Sequence, residues 1–224
     1  MSTADPRRFD RLVRVAVKPA VLAAALLPAA SLIAGVLGLP GFRLGANPIS
    51  MILHTCGKWA LIFLLITLSV TPLIMVTGRN EWLRLRRMLG LLAFTYALLH
   101  FLVYLILDQS LDLRAVIEDI AKRPYITIGF SALLLLVPLA ATSTAAMMRK
   151  LGRRWQKLHR LVYVVAVLGV WHYYWGVKRD VRQPLMYAAI LACLFALRWW
   201  RARSRRAPAV RRSTSPAVPL HQNK

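Results

Sequence analysis

Acidic side chains are scarce in this 224-residue chain: eight Asp and Glu stand against 31 Lys and Arg. Asp5, Asp10, Glu81, Asp108, Asp112, Glu118, Asp119 and Asp180 all lie outside the long apolar runs or at their ends. Proton pumps and cation transporters usually rely on carboxylates buried within the membrane, so this inventory weighs against them. Cysteine is equally scarce. Cys56 and Cys193 fall in separate apolar runs at different depths, which argues against a disulfide and leaves them as small packing residues. No P-loop is present, and no G-x-G-x-x-G follows a strand. The polar stretches are too short to fold a nucleotide-binding domain. If such a chain moves electrons, its donor and acceptor are separate molecules.

What the chain has in abundance is apolar surface. Hydrophobic residues make up 58% of it, and the mean hydropathy is +0.53. Six runs approach the ~20 residues needed to cross a bilayer: 19–39, 51–76, 88–108, 124–143, 158–177 and 183–200. Their length predicts helices, because barrel strands would appear as ~10-residue alternating segments. The first run is too long for a signal-peptide core and is followed by further spans, so it reads as a membrane helix.

Charge sets the orientation. Lys and Arg crowd residues 1–18, 77–87, 144–157 and 201–224, while the alternate loops are poorer in them. The positive-inside rule then predicts an all-α integral membrane protein, a six-transmembrane-helix bundle with both termini cytoplasmic. The net charge of +23 is mostly this topology signal plus attraction to lipid headgroups, not a nucleic-acid footprint. The expected organisation is a basic interfacial segment over 1–18, a bundle over 19–200 and a disordered basic tail over 201–224, in which His221 has no assigned role. No internal repeat is evident.

Three histidines lie in or at the edge of the apolar runs: His100, His159 and His172. An ionisable group in a span is a functional-site hypothesis by default, and imidazole is a common axial ligand of haem iron. His100 is 12 residues into its span and His172 is 14 into its own, so both lie ~18–21 Å above the inner boundary. Two imidazoles at one depth on two helices suit a bis-histidine haem. His159, read as part of the same helix as His172, lies ~20 Å lower. The matching position on the third span is Arg87, preceded by Arg86, so an inner pair is incomplete. Structural histidines, each bonded to a carbonyl, are the competing reading.

His54 and Lys58 form an i, i+4 pair near the outer end of the second span. Lys58 reads either as snorkelling to the interface or as contacting an anionic group such as a haem propionate or a quinone headgroup. Trp171, Tyr173, Tyr174 and Trp175 suggest an interfacial aromatic belt at the outer end of the fifth span.

Several motifs carry a resemblance. They are Arg86-Arg87-Met88-Leu89-Gly90-Leu91, Tyr96 to His100, Lys122-Arg123-Pro124-Tyr125-Ile126-Thr127-Ile128-Gly129, Leu151-Gly152-Arg153-Arg154-Trp155-Gln156-Lys157-Leu158-His159, and His172-Tyr173. In order, spacing and length they resemble the MsrQ family, ferric-reductase-like haem-binding membrane subunits. The resemblance implies residence in the bacterial inner membrane and one haem b, or two, with His100, His159 and His172 matching the haem-linked histidines. It implies an associated FMN, electrons drawn from the quinone pool, and delivery to MsrP, a periplasmic molybdopterin enzyme that reduces methionine sulfoxide. The chain departs from two-pair ferric-reductase relatives in having Arg86 and Arg87 where the inner partner would fall. The rival expectations are a stand-alone ferric reductase, disfavoured by the missing nucleotide domain, and a histidine-based metal transporter.

Overall fold

A computed structural model describes residues 6–177 and 180–204 of the chain, and all regular structure among them is helical. Lys178, Arg179 and the stretch 205–224, with His221 and most of the expected tail, lie outside the described residues.

The N-terminal segment is helical and leads directly into the first span. Helix α1 (Pro6–Leu12) runs through a π-helical stretch (Val13–Val17) into α2 (Lys18–Val36) without a break. The first turns are tied down at the inner loop. Phe9 packs edge-on against Trp82 with 5.6 Å between centroids, Arg79 covers the Phe9 ring at 3.9 Å, and Asp10 pairs with Arg84 at 2.5 Å. Pro28 sits inside α2 and cannot supply a backbone N–H. The buried Tyr96 hydroxyl inserts beside it, donating to the Ala25 carbonyl at 2.6 Å and accepting from the Ala29 N–H at 3.3 Å. A side chain of α4 thus completes the hydrogen bonding of α2.

Helix α3 (Pro48–Thr77) begins with the Asn47 side chain accepting from Ser50 N–H at 3.1 Å and with Pro48 in the first turn. It ends at Gly78, whose φ of 67° supplies the left-handed cap. Helix α4 (Leu83–Val103) continues into a π-helical turn (Tyr104–Asp108). A short amphipathic helix, α5 (Leu113–Lys122), is capped by Asp112 and leads to α6 (Pro124–Ala141). Two short helices, α7 (Ala145–Leu151) and α8 (Arg153–His159), carry the basic loop and meet at Gly152. Helices α9 (Leu161–Gly176) and α10 (Arg182–Ser204) complete the described chain.

Five helices are long and apolar enough to cross a membrane, the first running from Arg7 to Val36. Helix α9 is equally apolar but only 16 residues long. The expected fifth span is divided: α8 and α9 join through Arg160 by i→i−3 bonds, Arg160 N–H to Lys157 O and Tyr163 N–H to Arg160 O. His159 therefore ends α8 and is not on the helix that carries His172.

Helix α3 is the centre of the bundle, with 44% of its apolar stretch buried against 17% for the first and last spans. It packs most closely on α4, as α6 does on α9, and α10 lies against α9 and α3. Leu61, Phe63, Leu64 and Leu68 of α3 meet Leu92, Ala93 and Tyr96 of α4 and Val165 and Ala166 of α9 in one core. In lipid such packing is driven by close fit more than by water exclusion, which favours small residues at helix contacts. The outward faces present exposed Leu, Val and Ile, as a lipid-facing surface would. Cys56 is buried, Cys193 is exposed, and both are free thiols.

Candidate functional site

His100 and His172 come together between α4 and α9. Their ring centroids are 6.0 Å apart and their planes cross at 75°. Each imidazole is oriented by a carbonyl of the helix packed behind it: His100 Nδ1 lies 2.9 Å from Leu53 O, and His172 Nδ1 lies 2.7 Å from Tyr125 O. A carbonyl only accepts, so Nδ1 carries the proton and donates in both cases. Both Nε2 atoms are left with a free lone pair, the form in which a histidine binds a metal.

Glycine makes the seats. A Cβ on Gly57 would lie 3.0 Å from His100 Nδ1, and one on Gly129 would lie 2.6 Å from His172 Nδ1. Any side chain at either position would push the ring away. The sequence reading missed both glycines and both carbonyls. The signal was an equal spacing: each histidine bonds the residue 47 earlier, and residues 53, 57 and 100 recur at an offset of 72 as 125, 129 and 172. The α3–α4 and α6–α9 hairpins are two copies of one arrangement, contrary to the expectation of no repeat. Only the glycine and the histidine keep their identity among these three positions, which is why the repeat is hard to see in the letters.

A metal with imidazole ligands at about 2 Å on opposite sides holds the two ring centroids about 6 Å apart, so the observed spacing fits an ion between these rings. Among the described residues no three His, Cys, Asp or Glu side chains converge. The chain thus offers two imidazoles with unprotonated Nε2 atoms at metal-bridging distance, a donor set that would suit an iron carrying its other ligands with it.

The remaining candidates occupy other places. His54 and Lys58 lie on the exposed face of α3, and His54 is within electrostatic reach of both His100 and His172. His159 stacks on Trp155 at 3.8 Å, and its Nδ1 donates to Trp155 O at 3.1 Å. Trp155 is itself fixed by donating to Thr142 O at 2.9 Å. His159 Nε2 is buried with no hydrogen-bond partner, the Leu139 carbonyl acting on the ring without reaching normal geometry. Facing it electrostatically is Arg86, which is half-buried, whereas Arg87 is exposed. Counting pointed to position 87; the charge that bears on the ring is that of its neighbour, Arg86.

The outer aromatic group is divided. Trp171, Tyr174 and Trp175 are 44–48% exposed, as belt residues are, while Tyr173 turns inward to pack on Tyr187 and donates to Gln183 at 3.0 Å.

Comparison with known proteins gives the family. Residues 56–170 match the family profile described as "Ferric reductase like transmembrane component". A protein of Ralstonia nicotianae named "Protein-methionine-sulfoxide reductase heme-binding subunit MsrQ" is 50% identical over 209 residues, covering 92% of this chain and 94% of the relative. Proteins of the same name from Xanthomonas euvesicatoria and Xanthomonas axonopodis are 52% and 51% identical over 173 residues, 77% of this chain and 79% of each relative. No solved structure matches. With half its length inside the profile and such relatives along nearly all of it, the chain belongs to the MsrQ family of ferric reductase-like transmembrane proteins.

Proposed function

We propose that this protein is the haem b electron-transfer subunit of a membrane methionine-sulfoxide reductase system, with His100 and His172 as the axial ligands of its principal haem. The observation that carries the reading is the histidine pair itself: two imidazoles, each locked by a carbonyl and seated on a glycine, 6.0 Å apart in the bundle. Haem, when bound, supplies one-electron redox chemistry. The chain's own work is to hold the two rings at this spacing, to keep the Nδ1 proton on the carbonyl side so that Nε2 would be free to bind iron, and to exclude water with Leu, Val and Ala side chains of α3, α4, α6 and α9.

The charge pattern supports six spans, with α8 and α9 together as the fifth, both termini in the cytoplasm and the His100–His172 level nearer the outer face, so that electrons would leave on the outer side. His54 and Lys58 line the outer half and suit an acidic group there. His159, with its unpaired Nε2 and Arg86 nearby, serves an inner cofactor or donor site.

The partner assignments rest on the relatives. Their printed name makes them subunits of a protein-methionine-sulfoxide reductase, which supports a separate catalytic subunit of the MsrP type on the periplasmic side. Family resemblance supports the quinone pool as the electron source, an associated FMN, and residence in the bacterial inner membrane.

The test is the visible spectrum of the purified chain. His100→Ala and His172→Ala should each abolish most of the b-type absorption at unchanged protein yield. Full-strength bands in both variants would remove these residues from the site.

A further inference from the structure

Arg198 is a half-buried cation of the bundle that has no counter-charge among the described residues. It lies in α10, where its Nη2 donates to Leu68 O of α3 and its guanidinium stands over the Tyr163 ring of α9 at 5.1 Å. Nε and Nη1 are buried and have no hydrogen-bond partner. Arg86 of α4 lies close enough to repel it. The ion pairs among the described residues engage Asp10, Glu118 and Asp119, never Arg86 or Arg198.

An arginine with two buried donors idle, and with the like charge of Arg86 acting on it, is costly as it stands. Breaking a buried pair so that one charge is left alone typically destabilises a protein strongly, because the remaining ion is neither hydrated nor matched. Guanidinium presents its N–H groups as a fork suited to two oxygens of one carboxylate or phosphate. Leu68 is nine residues from the inner end of α3, about 14 Å along the axis, in a helix longer than the ~30 Å hydrocarbon core. The site thus sits in the inner half of the apolar layer, within reach of acidic groups of membrane-embedded molecules.

We infer that Arg198, with Arg86 as the second positive charge, is the receptor for one acidic oxygen group, carboxylate or phosphate, of a ligand lying in the seam between α3, α9 and α10. Haem propionates and phospholipid headgroups both carry this chemistry. The inference does not require the haem assignment, since a lipid phosphate satisfies the same donors.

The experiment compares full-length wild type with Arg198→Gln and Arg198→Lys, purified, delipidated and checked for folding by size-exclusion chromatography. Four probes are titrated: haem, haem dimethyl ester, phosphatidylglycerol and diacylglycerol. Loss of a charge-assisted hydrogen bond corresponds to about ten- to hundredfold weaker binding. If the group is a propionate, Arg198→Gln weakens haem by that factor and leaves the diester unchanged. If it is a lipid phosphate, the loss falls on phosphatidylglycerol and spares diacylglycerol. Arg198→Lys retains most of the affinity in either case. Equal binding of all four probes by wild type and Arg198→Gln overturns the inference. Should Arg198→Gln fail to fold, Arg86→Gln replaces it with the same expected loss, and equal binding there is equally fatal.

Discussion

His172 rests on Gly129 more tightly than His100 rests on Gly57. An added methyl would come 2.6 Å from the first ring and 3.0 Å from the second. The two seats are equivalent in design and differ in tolerance, and this difference can be measured.

Gly129→Ala should displace His172 and lower haem occupancy severalfold or more, since overpacking a tight site costs roughly 1–3 kcal/mol. Gly57→Ala should do the same to His100 with a smaller loss. Haem per protein, read from the Soret band against total protein, gives the order. A Gly129→Ala protein with full haem content would mean that the ring does not need its seat.

His159→Ala leaves the His100–His172 pair intact, so b-type absorption should persist. What should change is the redox titration: a component present in the wild type should vanish or shift. Superimposable titrations would show that the inner histidine holds no redox centre.

Tyr96→Phe removes the hydroxyl that bridges Ala25 O and Ala29 N–H beside Pro28. Two backbone groups of α2 lose their partner, at a cost of about 1–3 kcal/mol each if they stay buried. A lower melting temperature with an unaltered haem spectrum is expected. An unchanged melting temperature would show that water or a local shift satisfies the break.

Cysteine placed at Ser110, in the turn after α4, should react with a membrane-impermeant maleimide in intact spheroplasts. Cysteine at Ser204, at the end of α10, should react only after permeabilisation. Both positions are exposed, so access is decided by side of the membrane. Labelling of Ser204→Cys in intact spheroplasts contradicts cytoplasmic placement of the C-terminal end of α10.

The depth match of His100 and His172 was legible because it depends only on residue counts within helices of known rise. The membrane class was legible for the same reason, being a matter of run length and charge. Three things were not. The joint at Arg160 involves no proline or glycine at the break itself, and it moves His159 off the helix of His172. The glycine seats are contacts between helices, and spacing within one helix does not reveal them. Arg198 was visible, since a cation lies inside the run 183–200. Like the intramembrane histidines, it is an ionisable group within an apolar run.

The two hairpins repeat at the level of His100 and His172 but not at the level of His159, where the counterpart is arginine and where Arg86 and Arg198 add cations that form no ion pair among the described residues. Fixed positive charge in a water-poor interior lowers the energy of an added electron nearby far more than it would in water. On the electron path proposed above, these cations contribute a step in potential between the inner and the outer level. An acidic group received by Arg198 would cancel part of that step, so occupancy of one seam would adjust how readily an electron leaves the inner half for the outer.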